Sequence, residues 1–229
     1  SILLLSAGYG AYRLAESPPT WFDEGIYIQV AESLAARGAQ SIQTAPGTFE
    51  GTGHVTGGYP FLAPVALSIK ILGNSLFAAR LPMVLFIVLV VAAVWAFLYR
   101  IAGFRDAWWG SVLVALFPLL YGNGKNVLGE VPGMFYALLA LYFLWQIESR
   151  QFKGTRWYVL AGLCLGLAAA TKPIFLLLPL AVAIVFLLRM RTIPLYWKEI
   201  SLAAVATVAP LALWACLQFG GADGSAILF

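Results

Sequence analysis

Charge is scarce in this sequence. Only 10% of its 229 residues are Asp, Glu, Lys or Arg, and 62% are apolar, whereas a soluble domain carries about 25% charged residues. That imbalance excludes a water-soluble globule, and a disordered chain, which needs low hydrophobicity, is excluded with it. The net charge of +4 is small, and no basic patch of the kind that binds nucleic acid is present. Cysteine is nearly absent too. Cys164 and Cys216 lie in apolar runs without C-x-x-C spacing, so neither a disulfide framework nor a zinc site is indicated. The sequence has no repeat of fixed period, no low-complexity tract, no D-x-D motif and no basic-headed signal peptide. What remains is an integral membrane protein, and the apolar start at Ile2 with a new apolar segment from Ala226 suggests the N-terminal part of a longer polytopic chain.

A helix needs about 20 apolar residues to cross a hydrocarbon core of roughly 30 Å. Apolar runs occupy 1–15, 80–99, 107–122, 128–147, 157–188 and 199–219. As one helix, 157–188 would reach about 48 Å, and Lys172-Pro173 divides it, because proline removes a backbone donor and pushes its predecessor out of helix. The expected fold is therefore an all-α bundle of about seven transmembrane helices. The segment 59–73 is short and holds Pro60, Pro64 and Lys70, and it is expected to lie at the interface. With that choice Arg100, Arg105, Arg150, Lys153, Arg156, Arg189, Arg191 and Lys198 fall on one face, which the positive-inside rule makes cytoplasmic. Trp108, Trp109, Trp145, Trp157 and Trp197 sit beside those basic connectors, as an interfacial aromatic belt does. The whole of 1–229 reads as one transmembrane domain.

The first external loop, 16–79, is long, and long loops with structure of their own are usually functional. After the breaker Ser17-Pro18-Pro19 and Trp21-Phe22, an amphipathic helix is expected over 24–38, with Ile26, Val30 and Leu34 on one face and Gly38 at its stop. Residues 39–58 read as irregular, leading into a second juxtamembrane helix over 59–73. Asp23 and Glu24 open the first helix. They fit capping and dipole duty, and, as ionisable groups at membrane depth, they also fit catalysis. Glu130, in Leu128-Gly129-Glu130-Val131-Pro132, is either an acid on a helix dipole or an acid facing a polar cavity. Lys172 either snorkels to the headgroups or faces the same cavity. Arg80 and Lys125 share that face, so acids and cations distant in sequence are expected to converge in one pocket suited to an anionic lipid headgroup. His54, the single histidine, fits a solvated loop position or a ligand.

These residues resemble the GT-C superfamily of polyprenyl-phosphate-sugar-dependent glycosyltransferases, in particular the dolichyl-phosphate-mannose protein mannosyltransferases and the bacterial aminoarabinose transferases. The likeness runs in order through Asp23-Glu24-x-x-Tyr27, Ala31, Leu34 and Gly38, then Gly58-Tyr59-Pro60, Leu72-Gly73-Asn74-Ser75 and Ala79-Arg80-Leu81-Pro82. It continues through Leu128 to Pro132 and Leu167 to Pro173. The resemblance implies transfer of a sugar from a polyprenyl-phosphate donor to a lipid, glycan or protein acceptor, with inversion, on the outer face of a prokaryotic cytoplasmic membrane. It implies Asp23 as base, with Glu24 orienting it or binding substrate. Lys172, Arg80 and Lys125, in that order, are the cations for the departing phosphate, and Glu130, Tyr27, Tyr59 and His54 complete the expected substrate surface. No cofactor is expected, and a divalent metal, though possible on Glu130, is not favoured. A transporter or flippase and a non-catalytic scaffold are the competing readings. Midplane charge, the usual mark of a transporter, is sparse in 81–99, 129–147 and 199–217.

Overall fold

The computed structural model describes residues 2–53, 55–189 and 196–219, and those residues are mostly helical. Helix α1 (Ile2–Ala11) leads through an ordered connector to α2 (Phe22–Arg37), which ends at Gly38. A hairpin of β1 (Ser41–Ala45) and β2 (Thr48–Gly51) follows, then α3 (Tyr59–Leu72), α4 (Leu76–Ile101), α5 (Phe104–Ala115), α6 (Pro118–Gly122) and α7 (Glu130–Ser149). Helix α8 (Thr155–Thr171), a 3-10 turn (Pro173–Leu176), α9 (Leu177–Arg189) and α10 (Trp197–Phe219) complete the described chain. By length and composition α4, α7 and α10 can cross a membrane, while α1, α3 and the segment 173–189 are apolar but shorter.

Two expectations are corrected. Residues 39–58 are not wholly irregular, and the fold is not purely α, because Ser41 pairs with Gly51 and Gln43 with Phe49 in an antiparallel ladder. Pro46 and Gly47 close the hairpin with Gly47 at φ +77°, the Pro-Gly pattern of a type II turn. That turn does not match the twist of paired strands, and the register shifts between Gln43 and Ala45 beside it. The apolar run 107–122 is also not one helix. It breaks at Phe117, whose backbone is extended (φ −72°, ψ 114°), because the next residue, Pro118, disfavours helix in its predecessor and has no N–H to continue the ladder. At Lys172-Pro173 the same physics ends α8, with Lys172 extended at φ −155°, ψ 136°.

The main core joins α2, α3 and α4 to the segment before α7, through Val30, Phe61, Leu62, Val65, Met83, Ile87 and Val127. Ser75 caps α4 by accepting the Ala78 N–H at 3.2 Å, and Ser68 of α3 donates to the Ala78 carbonyl at 2.6 Å. Helices α7, α8 and α10 form a second layer. Here α8 meets α10 backbone to backbone. A Cβ on Gly162 would lie 2.2 Å from the Ala203 carbonyl oxygen, and one on Gly166 would lie 2.3 Å from that of Thr207. Glycines four residues apart let membrane helices approach closely, so that dispersion and weak polar contacts hold them where no hydrophobic effect can.

Replacing Gly166 by Leu is expected to force α8 from α10 and to destabilise the protein by about 1–3 kcal/mol, read as a lowered Tm in detergent. Gly8→Ala, at a position with nothing within 4 Å of the added methyl, serves as the silent control.

Candidate functional site

Helix α2 begins at one end of the bundle, and its third residue points into protein. Glu24 and Arg80 of α4 are both 0% exposed and form a two-pronged ion pair, Nε to Oε1 at 2.7 Å and Nη2 to Oε2 at 2.7 Å. The carboxylate also accepts the Val127 N–H at 3.0 Å and the Trp21 N–H at 3.4 Å. Arg80 Nη1 donates to the carbonyls of Leu14 (3.0 Å) and Pro18 (2.9 Å), and Nη2 donates to Asn126 Oδ1 (3.0 Å). Every N–H of the guanidinium therefore has an acceptor. Burial of two charges is tolerable only with such complete satisfaction.

This geometry changes two assignments. Arg80 has no donor left for a phosphate, and Glu24 has no oxygen open to a substrate, so the pair is the joint that fixes the α1–α2 connector, α4 and the loop before α7. The helix cap is corrected as well. Trp21, not Asp23, occupies the N-cap position, and Glu24 takes the free Trp21 N–H. Asp23, partly exposed on the first turn, has no hydrogen-bond or ion-pair partner among the described residues.

Lys125 is buried, and its ammonium donates to the Tyr12 carbonyl at 2.8 Å. Burial first, and the neighbouring Arg80 guanidinium second, hold it below the ordinary lysine range. Tyr27 is a packing residue here. It is buried, its ring meets Phe61 edge-on at 5.3 Å, and its hydroxyl pairs with Thr56 Oγ1 at 2.9 Å. Tyr59 is half-buried at the start of α3. His54 lies outside the described residues.

The second exposed constellation is at the start of α7. Lys172 Nζ donates to Glu130 Oε1, with the side chains 21% and 51% exposed. Glu130 also borders a groove of about 560 Å³ whose walls are Leu113, Phe117, Leu119, Leu128, Val131 and Met134, with Asn123 and Asn126 as its polar members. Asn126 thus links groove and joint, since its amide oxygen is the one Arg80 holds. Backbone packing keeps these pieces together: Gly58 N–H donates to the Thr171 carbonyl at 3.1 Å, and Gly129 abuts Thr171 and Lys172. Asn126 and the Val127 N–H carry no sequence signal as members of this cluster. Their roles follow from where the loop is placed. Among the described residues no group of three His, Cys, Asp or Glu side chains could hold a metal ion.

A family model described as dolichyl-phosphate-mannose-protein mannosyltransferase matches residues 60–214. The fold is similar to that of ArnT from Cupriavidus metallidurans, in the apo state (TM-score 0.71) and bound to undecaprenyl phosphate (TM-score 0.70), each at 16% identity over 93% of this chain. At that identity the likeness is one of fold. The chain spans 41% of the apo and 40% of the bound ArnT chain. No curated protein matches the sequence.

Removing one partner of the buried pair, by Arg80→Ala or Glu24→Leu, is expected to cost about 3–5 kcal/mol. Arg80→Lys should recover little, since an ammonium cannot reproduce the planar fork, and a double-mutant cycle on unfolding reads the coupling. Lys125 supplies a pH test. In the folded chain it loses its proton below the 10.5 of the free side chain, so approaching that pH from below the unfolded state binds more protons and stability rises. The variant Lys125→Met should lack that rise, seen in Tm compared between the two proteins across the alkaline range.

Proposed function

The chain belongs to the dolichyl-phosphate-mannose-protein mannosyltransferase family, within the GT-C superfamily, and from that premise we propose that it serves a membrane enzyme that moves a sugar from a polyprenyl-phosphate donor to an acceptor hydroxyl. The observation that carries this reading is the division of labour between the two adjacent acids. Glu24 is locked to Arg80, while Asp23, one residue away, keeps both oxygens uncommitted among the described residues. A base must stand within hydrogen-bond reach of the proton it takes, and Asp23 is the acid at this end that is held in place by its neighbour yet open.

In the proposed reaction the acceptor hydroxyl loses its proton to Asp23 as its oxygen attacks the anomeric carbon. The bond from that carbon to the phosphate oxygen breaks on the opposite side, which inverts the configuration, and the lipid phosphate departs with the electron pair. Lys172 supplies the positive charge for it, exchanging Glu130 for phosphate; a cation in a water-poor site stabilises charge that develops in the transition state. The apolar groove beside Glu130 suits an isoprenoid tail, and its size is that of an ordinary ligand cleft. Tyr59 and Glu130 would border the sugar. In this reading α1, α4, α5 with α6, α7, α8, α9 and α10 are seven crossings and α2 and α3 are juxtamembrane helices, with this end outside a prokaryotic cytoplasmic membrane; the basic residues gathered at the other end support that orientation. The sugar and the acceptor are open variables of the proposal.

The test uses the full-length protein in lipid with a polyprenyl-phosphate sugar donor. Asp23→Asn should abolish transfer with Tm unchanged, because the side chain has no hydrogen-bond or ion-pair partner among the described residues. Lys172→Ala should weaken the binding of polyprenyl phosphate about tenfold or more, as loss of a charge-assisted hydrogen bond does. Turnover retained by Asp23→Asn removes the assignment.

A further inference from the structure

A second charged cleft lies at the opposite end of α7, about 30 Å from Glu130 along a helix of this length. The turn between α7 and α8 is compressed: Gln151 (φ 53°), Phe152 (φ 62°) and Gly154 (φ 102°) all have left-handed backbone. A side chain at Gly154 would be strained and would also press on Trp157, whose Cδ1 is 3.0 Å from the site of a Cβ. This turn gathers Arg150, Lys153 and Arg156 around the Trp157 ring. The Arg150 guanidinium lies 5.0 Å and that of Arg156 4.5 Å from the ring centroid. Together with Gly154 and Thr155 they line an open cleft of about 630 Å³.

The cations are in excess there. Of the acids in reach, Glu148 faces Arg189 at 3.8 Å and Glu199 accepts from Thr155 Oγ1 at 3.3 Å. Arg150 donates to the neutral Gln146 side chain at 3.3 Å, and among the described residues Lys153 and Arg156 have no carboxylate partner. The first turn of α8 adds to the same field. The Trp157 N–H donates to the Gly154 carbonyl at 3.0 Å, but Gly154 has no side chain with which to cap the helix, so the N–H groups of Thr155 and Arg156 carry the positive end of its dipole.

We propose that this cleft binds the phosphodiester headgroup of an anionic phospholipid. Three features select that ligand. The site sits where a spanning helix leaves the membrane, so a headgroup is present at the right depth. Guanidiniums present planar donor pairs that match a phosphate's oxygens. Stacking on Trp157 holds two of them in place, so less side-chain freedom is lost on binding. Basic pockets between transmembrane helices recognise lipid headgroups in this way. The inference depends on the membrane assignment and is independent of the transferase reading, because none of its residues belongs to the Asp23 end.

The experiment is native mass spectrometry of the full-length protein taken from bilayers of equal phosphatidylglycerol and phosphatidylcholine, with retained lipid counted per protein. Phosphatidylglycerol should be retained selectively. The triple variant Arg150→Ala, Lys153→Ala, Arg156→Ala should lose roughly a hundredfold in apparent affinity, as each interfacial cation contributes about fivefold. The variant Arg150→Lys, Arg156→Lys keeps the charge and guards against misfolding of the first. It should show an intermediate loss, because ammonium groups lack the fork. Equal retention by the triple variant, full retention by the lysine variant, or displacement of the lipid by inorganic phosphate at matched concentration would each overturn the proposal.

Discussion

Two opposite charges with no access to water hold one end of this bundle together. Glu24 and Arg80 sit at 0% exposure, where an unpaired ion would cost several kcal/mol, so the fold must supply a partner for every oxygen and every N–H. It does so from two connectors: the carbonyls of Leu14 and Pro18 and the Trp21 N–H between α1 and α2, and Asn126 with the Val127 N–H before α7. None of these donors or acceptors belongs to a regular ladder. Each would be an orphan if the pair were absent, and the pair would be unaffordable without them. The dependence runs both ways, and it is what makes this end of a lipid-embedded protein, where apolar packing gives little direction, adopt one arrangement.

The consequence for chemistry is a separation of tasks between residues that look alike. Glu24 and Arg80 have the charges a transferase site needs, yet they hold structure, and they thereby set the position of Asp23 on the first turn of α2. Lys125 is similarly turned inward to Tyr12. Lys172 and Glu130, by contrast, form an ion pair that stays partly open to solvent beside the apolar groove. An open pair can exchange partners at small cost, because water compensates each ion as the other leaves. A sealed pair cannot.

The two ends of α7 present a parallel contrast. At its start a carboxylate and a lysine are paired beside an apolar groove. At its end, arginines and a lysine crowd a tryptophan with their carboxylates occupied elsewhere. One end thus carries a balanced pair of charges and the other an excess of positive charge.

Hydrophobic content alone decided that the chain lives in a membrane, and backbone chemistry alone decided that Lys172-Pro173 and the glycines after α2 and α3 interrupt helix, since those effects act within a few residues. The same local rule applies at Phe117-Pro118, where the break was legible in the dipeptide but masked by a continuous apolar run. The hairpin at 41–51 was harder, because its Pro-Gly turn was visible while its strands had little hydrophobic alternation to mark them. Which acid of Asp23-Glu24 faces inward could not be read from adjacency. Residues one apart on a helix point about 100° from each other, and the choice between them was made by Arg80, 56 positions away. The sequence by itself determined the solvent and the breaks, both properties of short stretches. Partnership among charges was decided only by the tertiary structure, because Coulomb energy and desolvation depend on distance and burial that no linear spacing contains.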